Sequence, residues 1–328
     1  MMNNEHFRWG IIGTGGIANA FKRDLEYLMG HKISAVLSRS MHTAENFSSN
    51  ISDCRSFDDP RSFMEFSEMD AVYIATPNTF HFEQTIMALQ NKKHVLCEKP
   101  FGMNADEVKG MVESSKMNNV TLLEGMWTRY LPHIDIIRRL IKENVIGDIH
   151  SLFACHGQDL THSNNPRLWT KGLGGGALLD LGIYVVSLAH MVLGKPKNIN
   201  ANSIFTKEGV DAKTSMIFTY ENGAIANLSC SMYDTQPNRA VISGSKGFIE
   251  IAPTFYAPTS ITINTNDGRS TSYPNDYKGH GLREQADELA KCVKNNEIES
   301  QKMKHSESIA VMESMDQIRN DVGLTFDQ

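Results

Sequence analysis

The chain has 328 residues, 41% of them hydrophobic and 21% charged, with a formal net charge of -6. That length predicts two domains, and the composition is that of an ordinary globular protein. The acidic balance argues against nucleic acid or an anionic membrane surface as the main partner.

Up to about residue 125, short apolar runs alternate with helical patterns. "FRWGIIG", "KISAVLS", "DAVYIAT", "HVLCEK" and "VTLLEG" read as strands, with helices over 16–29, 79–91 and 104–118. Strands separated by helices of that length predict right-handed crossovers and a doubly wound, parallel Rossmann-type sheet in domain 1–125. A helix over 132–144 opens the second domain, 126–328. There "HSLFACHG", "NINANSIF", "KTSMIFTY", "AIANLSC", "RAVISG", "FIEIA" and "SITINT" read as strands. Asn222-Gly223 and "SGSKG" (243–247) mark hairpins, so a large, mainly antiparallel open sheet is expected. An amphipathic helix is predicted near 176–193, and helices over 281–295 and 305–322 close this second α/β domain.

The five cysteines (Cys54, Cys97, Cys155, Cys230 and Cys292) are odd in number and show no CxxC. They read as reduced thiols, and a cytoplasmic location is expected. "MMNNEHFRWGIIG" lacks the pattern of a signal segment. No stretch of 18 or more residues reads as apolar enough to span a bilayer. The 12 histidines show no paired ligand spacing, so no metal is expected, and GxSxG is absent.

"GTGGIA" places Gly13, Gly15 and Ala18 in a GxGxxA pattern between a strand and a helix. Gly13 permits the tight turn, Gly15 lets a pyrophosphate approach the backbone, and Ala18 lets the helix pack on the strand. Thr14, Gly16 and Ile17 complete a loop whose helix N-terminus suits phosphate. At the end of the second strand, Ser38 and Arg39 stand where an NAD site usually carries Asp or Glu. A hydroxyl and a guanidinium suit a 2′-phosphate, so NADP(H) is the expected cofactor and NAD(H) the secondary one. "ATPNTFH" and "CEKP" follow strand ends, where ligands of such sheets bind. Thr76, Pro77, Asn78, His81, Glu98 and Lys99 are therefore candidate cofactor contacts. Asp180 and Tyr184, four residues apart, are expected on one helical face. With Lys99 they form a carboxylate–ammonium–phenol set able to move a proton during a hydride transfer.

The chain resembles the glucose-fructose oxidoreductase/inositol dehydrogenase/MocA (Gfo/Idh/MocA) family. The likeness runs from the GxGxxA loop through "YIATPNTFH", "EKP", "GGGALLDLGIY" and "ISGSKGFIEI" to "GHGLREQADEL". "EGMWTRYLP" looks most like the dimeric dihydrodiol dehydrogenase and NADP-dependent xylose dehydrogenase branch. The resemblance implies that Lys99 and Tyr184 are a catalytic pair supported by Asp180, with the bond before Pro100 often cis. It also implies an oxidoreductase acting on a hydroxyl or carbonyl of a small sugar, polyol or diol. Tyr184 stands where the inositol branch has histidine, which favours the sugar and dihydrodiol branch. His156 stands where the dihydrodiol enzymes commonly have an aromatic residue, which counts against an aromatic diol. Trp127, Arg129, His156, Trp169 and Tyr184 are the expected substrate contacts. The open sheet predicts a homodimer or higher homo-oligomer. The alternative is a non-catalytic dinucleotide-binding sensor or co-repressor of the same fold.

Overall fold

A computed structural model describes residues 6–326. Residues 1–5, the beginning of the segment in which no signal pattern was expected, lie outside the described residues. The chain divides into two compact units. One runs up to Trp127 and takes in Lys278–Ser308; the other comprises Thr128–Tyr277 and the chain from Ile309 on.

The first unit contains β1 (Phe7–Ile12), α1 (Gly16–Leu25), β2 (His31–Leu37), α2 (Met41–Ser48), β3 (Arg55–Phe57) and α3 (Pro60–Glu65). β4 (Ala71–Ile74), α4 (His81–Gln90), β5 (His94–Glu98), α5 (Ala105–Asn118) and β6 (Leu122–Gly125) follow. All strand pairs are parallel, in the order β3-β2-β1-β4-β5-β6. β4 and β6 are buried along their whole length, as strands covered by helices on both faces must be. The strand order reverses at β1 and β4, so the loops after them flank the crevice where ligands of such sheets bind.

Three short elements of this unit escape the sequence pattern: α2, β3 and α3. The two helices carry local cap signals. Ser40 accepts a hydrogen bond from Thr43 N at the start of α2, and Asp59 accepts one from Ser62 N ahead of Pro60 in α3.

The second unit opens with α6 (Pro132–Lys142), β7 (Ile149–Gly157), α7 (Pro166–Trp169) and, after a π turn at Leu178–Gly182, α8 (Ile183–Leu193). Then come β8 (Asn198–Phe205), β9 (Asp211–Thr219), β10 (Ile225–Ser231), β11 (Ala240–Gly244), β12 (Gly247–Ile251), β13 (Ile261–Thr265) and β14 (Ser270–Tyr273). The eight strands run in the order β14-β13-β12-β11-β7-β10-β9-β8. Every pair is antiparallel except β7 with β10, the pair in which two segments about 70 residues apart meet in parallel.

α8 corrects two expectations. Residues Ile183–His190 are all buried, so the helix is a core helix and not an amphipathic one. The stretch Lys171–Leu193 is also long and apolar enough to cross a bilayer, contrary to the sequence reading, but 78% of its most apolar window is buried. Packing on β7 and β10 explains that hydropathy without a membrane.

Two helices close the chain, α9 (Arg283–Lys294) and α10 (His305–Val322). The sequence boundary at 125/126 groups both with the second domain, whereas α9 packs on β5, β6 and α1 of the first unit. Asp24 of α1, 2% exposed, anchors this segment by accepting the N–H groups of His280, Gly281 and Arg283.

The face of the second sheet opposite α8 carries Phe153, Ile217, Ile225 and Phe248, each between 38% and 47% exposed. Phe153 and Ile217 both align with Asn227, so they share one row across β7, β10 and β9. An apolar sheet face of this kind is suited to a second copy of the chain. We therefore expect a homodimer by light scattering at micromolar concentration, and monomers for Phe153→Asp combined with Ile217→Asp. A wild-type monomer would overturn the assignment.

A second prediction concerns acid. Burial is the main cause that pushes His133 on α6 and His190 on α8 down to about 4 from 6.5. His190 Nε2 lies 2.9 Å from Ser314 Oγ of α10. Because the folded value is depressed, the stabilisation is complete above pH 6.5 and is lost as pH falls through 4. The loss reaches about 3 kcal/mol per histidine. Tm should therefore fall steadily from pH 7 to pH 4.5, less steeply in His190→Gln; a Tm independent of pH over that range would refute the assignment.

Candidate functional site

The glycine loop lies where β1 ends and α1 begins. Gly13 has φ +98°, and a Cβ there would sit 2.7 Å from the carbonyl oxygen of Ala75, so glycine is required for the loops after β1 and β4 to approach. Gly15 and Gly16 are different. Both are exposed, and a Cβ on either would meet no protein atom within 4 Å. The fold itself therefore does not require glycine at these two positions. A diphosphate brought against the N–H groups at the start of α1 would need the open space that a side chain at Gly15 would fill. Thr14 and Ile17 are half-buried, and Ala18 is fully buried under the helix, as close packing of α1 on the sheet demands. The loop fits a dinucleotide.

Ser38 and Arg39 follow β2. The Ser38 hydroxyl lies 3.3 Å from that of Thr14 and accepts one from Thr43 at 2.7 Å. This ties the glycine loop to the N-terminus of α2. Arg39 is exposed and makes no ion pair among the described residues. Ser40 and Thr43 belong to the same polar corner; the sequence reading missed them because it missed α2.

After β4, Thr76 donates to Gln84 Oε1 at 2.6 Å, Pro77 is half-buried, and Asn78 is buried in a 3-10 turn. His81 is fully buried, with its ring nitrogens 3.0 Å from Thr76 O and 2.8 Å from Pro100 O. It thereby joins the loops after β4 and β5. The Lys99–Pro100 peptide is cis and Lys99 is half-buried. Glu98, 4% exposed, accepts from Tyr73 Oη at 2.5 Å and from Lys99 N at 3.3 Å. Burial is the main cause that raises its carboxyl, opposed by the bond from Tyr73. Tyr73 in turn stacks on Phe21 of α1, ring centres 3.9 Å apart. Trp127, also in this unit, is buried with its ring edge-on to His280 at 5.0 Å.

In the second unit Asp180 lies inside the π turn and Tyr184 in the first turn of α8. Their four-residue spacing therefore runs partly through a wider turn, not along the regular α-helix that the sequence predicts. Asp180 Oδ1 forms an ion pair with Arg167 at 3.0 Å. Tyr184, 7% exposed, has its ring edge-on to His156, 5.2 Å between centres, and tilted against Tyr256 at 5.4 Å. His156 stacks on Tyr256 at 3.8 Å. The Gln158 amide nitrogen reaches both, at 3.0 Å to His156 Nε2 and 3.3 Å to Tyr256 Oη. Burial raises the Tyr256 phenol.

His156 and Tyr184 thus come together with Gln158 and Tyr256, and Asp180 with Arg167; Gln158, Tyr256 and Arg167 are not among the residues expected from the sequence. Arg129 is 3% exposed and donates to the Ser187 carbonyl and hydroxyl of α8 at 3.3 Å. Trp169 is half-buried, donates to Ser163 O at 3.0 Å and faces Tyr233. No group of His, Cys, Asp and Glu able to hold a metal occurs among the described residues.

Residues 7–126 match an oxidoreductase family described by its NAD-binding Rossmann fold, and residues 134–250 match the GFO/IDH/MocA C-terminal domain. The chain is 33% identical over 98% of both sequences to a trans-1,2-dihydrobenzene-1,2-diol dehydrogenase of Danio rerio. It is 32% identical to a D-xylose 1-dehydrogenase (NADP(+)) of Hypocrea jecorina, over 99% of this chain and 94% of that one. Among solved structures, a 3-ketoreductase of Actinomadura kijaniata in complex with NADP and TDP-benzene matches with a TM-score of 0.86 at 23% identity. An aldose-aldose oxidoreductase of Caulobacter crescentus complexed with glycerol matches with a TM-score of 0.87 at 20% identity. Each comparison covers 97% of this chain and 98% of the other, and at these identities shows the shared fold.

Proposed function

The chain belongs to the GFO/IDH/MocA oxidoreductase family, and from that membership we propose an NADP(H)-dependent enzyme that interconverts a hydroxyl and a carbonyl on a small sugar, polyol or diol. The observation that carries the reading is the pair of open positions at Gly15 and Gly16, a cradle at the strand-order reversal whose glycines the protein interior does not require. The diol and xylose dehydrogenases among its relatives support the substrate class. The five free thiols suit a reducing, cytoplasmic setting.

When bound, the nicotinamide would supply the group that accepts or donates hydride. Gly13, Thr14, Gly15, Gly16, Ile17 and Ala18 would hold the pyrophosphate, and Ser38 with Arg39 the ribose 2′-phosphate. Thr76, Pro77, Asn78 and His81 would shape the edge of the nicotinamide region, together with Glu98 and Lys99. The Tyr184 hydroxyl would take the substrate proton during oxidation and return it during reduction. The Lys99 ammonium would favour the phenolate form, and Asp180, neutralised by Arg167, would support the arrangement. His156 and Tyr256, beside Tyr184, would shape the substrate contact.

Turnover should be followed by nicotinamide absorbance across aldoses, polyols and dihydrodiols. Tyr184→Phe and Lys99→Ala should each lose about 10²–10⁴-fold in turnover with little change in cofactor binding. Retention of most turnover by Tyr184→Phe would remove the proton-transfer role. Arg39→Ala should weaken NADP selectively. A charged hydrogen bond contributes about 1.5–3 kcal/mol, or about 10- to 150-fold, and exposure puts the loss toward the low end. Titration of both dinucleotides by calorimetry tests this, and equal losses for NAD and NADP would refute the assignment.

A further inference from the structure

The three glycines at 174–176 lead into the π turn, and one of them faces a buried acid. Gly176 has φ +118°, and a Cβ there would sit 2.3 Å from Asp211 Oδ1. Asp211, the first residue of β9, is fully buried. Its Oδ2 accepts the backbone N–H of Leu178 at 2.8 Å and the Thr214 hydroxyl at 2.8 Å. Thr214 Oγ1 is itself 2.7 Å from the hydroxyl of Ser203 on β8. Oδ1 has no hydrogen-bond partner among the described residues. A polar relay therefore runs from β8 through β9 to the first residue of the π turn. The other end of the turn is also fitted, less tightly, since a Cβ on Gly182 would sit 3.0 Å from Cys230 Sγ on β10.

Leaving a buried carboxylate oxygen without a partner is costly, so this arrangement has no advantage as packing alone. What it does accomplish is specific. It satisfies an N–H that the helix cannot pair for itself, at the turn that carries Asp180 and leads directly to Tyr184. π turns of this kind recur at functional sites because they redirect side chains.

We propose that Asp211 is a positioning residue, which by holding Leu178 N–H sets the placement of Asp180 and Tyr184. The inference rests on the reading of those two residues as part of the reacting site. Displacements of about 1 Å remote from the chemistry cost as much as 10²-fold in rate. Burial also pushes the Asp211 carboxyl up to about 7, so asparagine, neutral and still able to accept from Leu178, is a close substitute.

The test compares wild type, Asp211→Ala, Asp211→Ser, Asp211→Asn and Tyr184→Phe, with D-xylose and NADP+ as the assay pair. Hydrogen exchange of residues 176–184 is measured on the free proteins, and Tm confirms folding at the assay temperature. Asp211→Ala should lose about 10- to 100-fold in kcat with KM for NADP+ unchanged, and exchange at 176–184 should quicken about tenfold. Asp211→Ser, too short to reach Leu178, should do the same and replaces the alanine variant if that fails to fold. Asp211→Asn should keep wild-type exchange and kcat to within about threefold. A folded Ala or Ser variant with wild-type exchange at 176–184 would overturn the proposal, as would one with faster exchange but wild-type kcat. If Tyr184→Phe keeps wild-type turnover, or D-xylose is not turned over, the functional reading or the assay pair is at fault. The exchange measurement then still decides whether Asp211 holds the turn.

Discussion

The close approach of two loops organises the first unit. Gly13, at φ +98°, lies so near the Ala75 carbonyl that any side chain would force them apart. With the gap closed, the ends of β1 and β4 stand side by side at the reversal of strand order, and α1 begins with its free N–H groups beside them. Everything polar in that corner follows from this geometry. Thr14 comes within reach of Ser38, Ser38 within reach of Thr43, and His81 joins the carbonyls of the next two loops. The exposed Gly15 and Gly16 leave the start of α1 open, as an anion approaching its N–H groups would need.

The same logic of close approach recurs in the second unit, in different chemistry. Gly176 and Gly182 bring the π turn onto Asp211 and Cys230 at its two ends. The helix behind it has no polar face to orient it, since Ile183–His190 are buried on every side. Its direction is therefore set by a few internal polar contacts: Asp211 to Leu178, Arg129 to Ser187, and His190 to Ser314. Buried hydrogen bonds of this sort add modest net stability but are expensive to leave unmade, which is what makes them specify one arrangement.

Burial also divides the ionisable groups by task. His133 and His190 are held neutral by desolvation and report on folding. Glu98 is raised by burial yet engaged by Tyr73 and the Lys99 N–H, which places it as a brace for the β5 end. Asp180 is paired with Arg167 and only partly exposed.

The sequence by itself determined the Rossmann sheet, the glycine loop, the hairpins at Asn222-Gly223 and 243–247, and a helix close to each place expected. These rest on local signals: alternation, helical period, caps and turn residues within a few positions of one another. The short α2, β3, α3, α7 and β14 fell below that signal because a turn or two of helix, or a strand of three or four residues, carries little periodicity. Tertiary structure alone decided the parallel pairing of β7 with β10, the inward course of Arg129 and the packing of α9 on β5 and β6. It alone brought Tyr256 beside Tyr184, Arg167 onto Asp180 and Asp211 under Leu178. The physical reason is that a local pattern records which face of an element is apolar. It does not record which distant side chain will satisfy a given donor, a choice made only when the sheets and helices close around it.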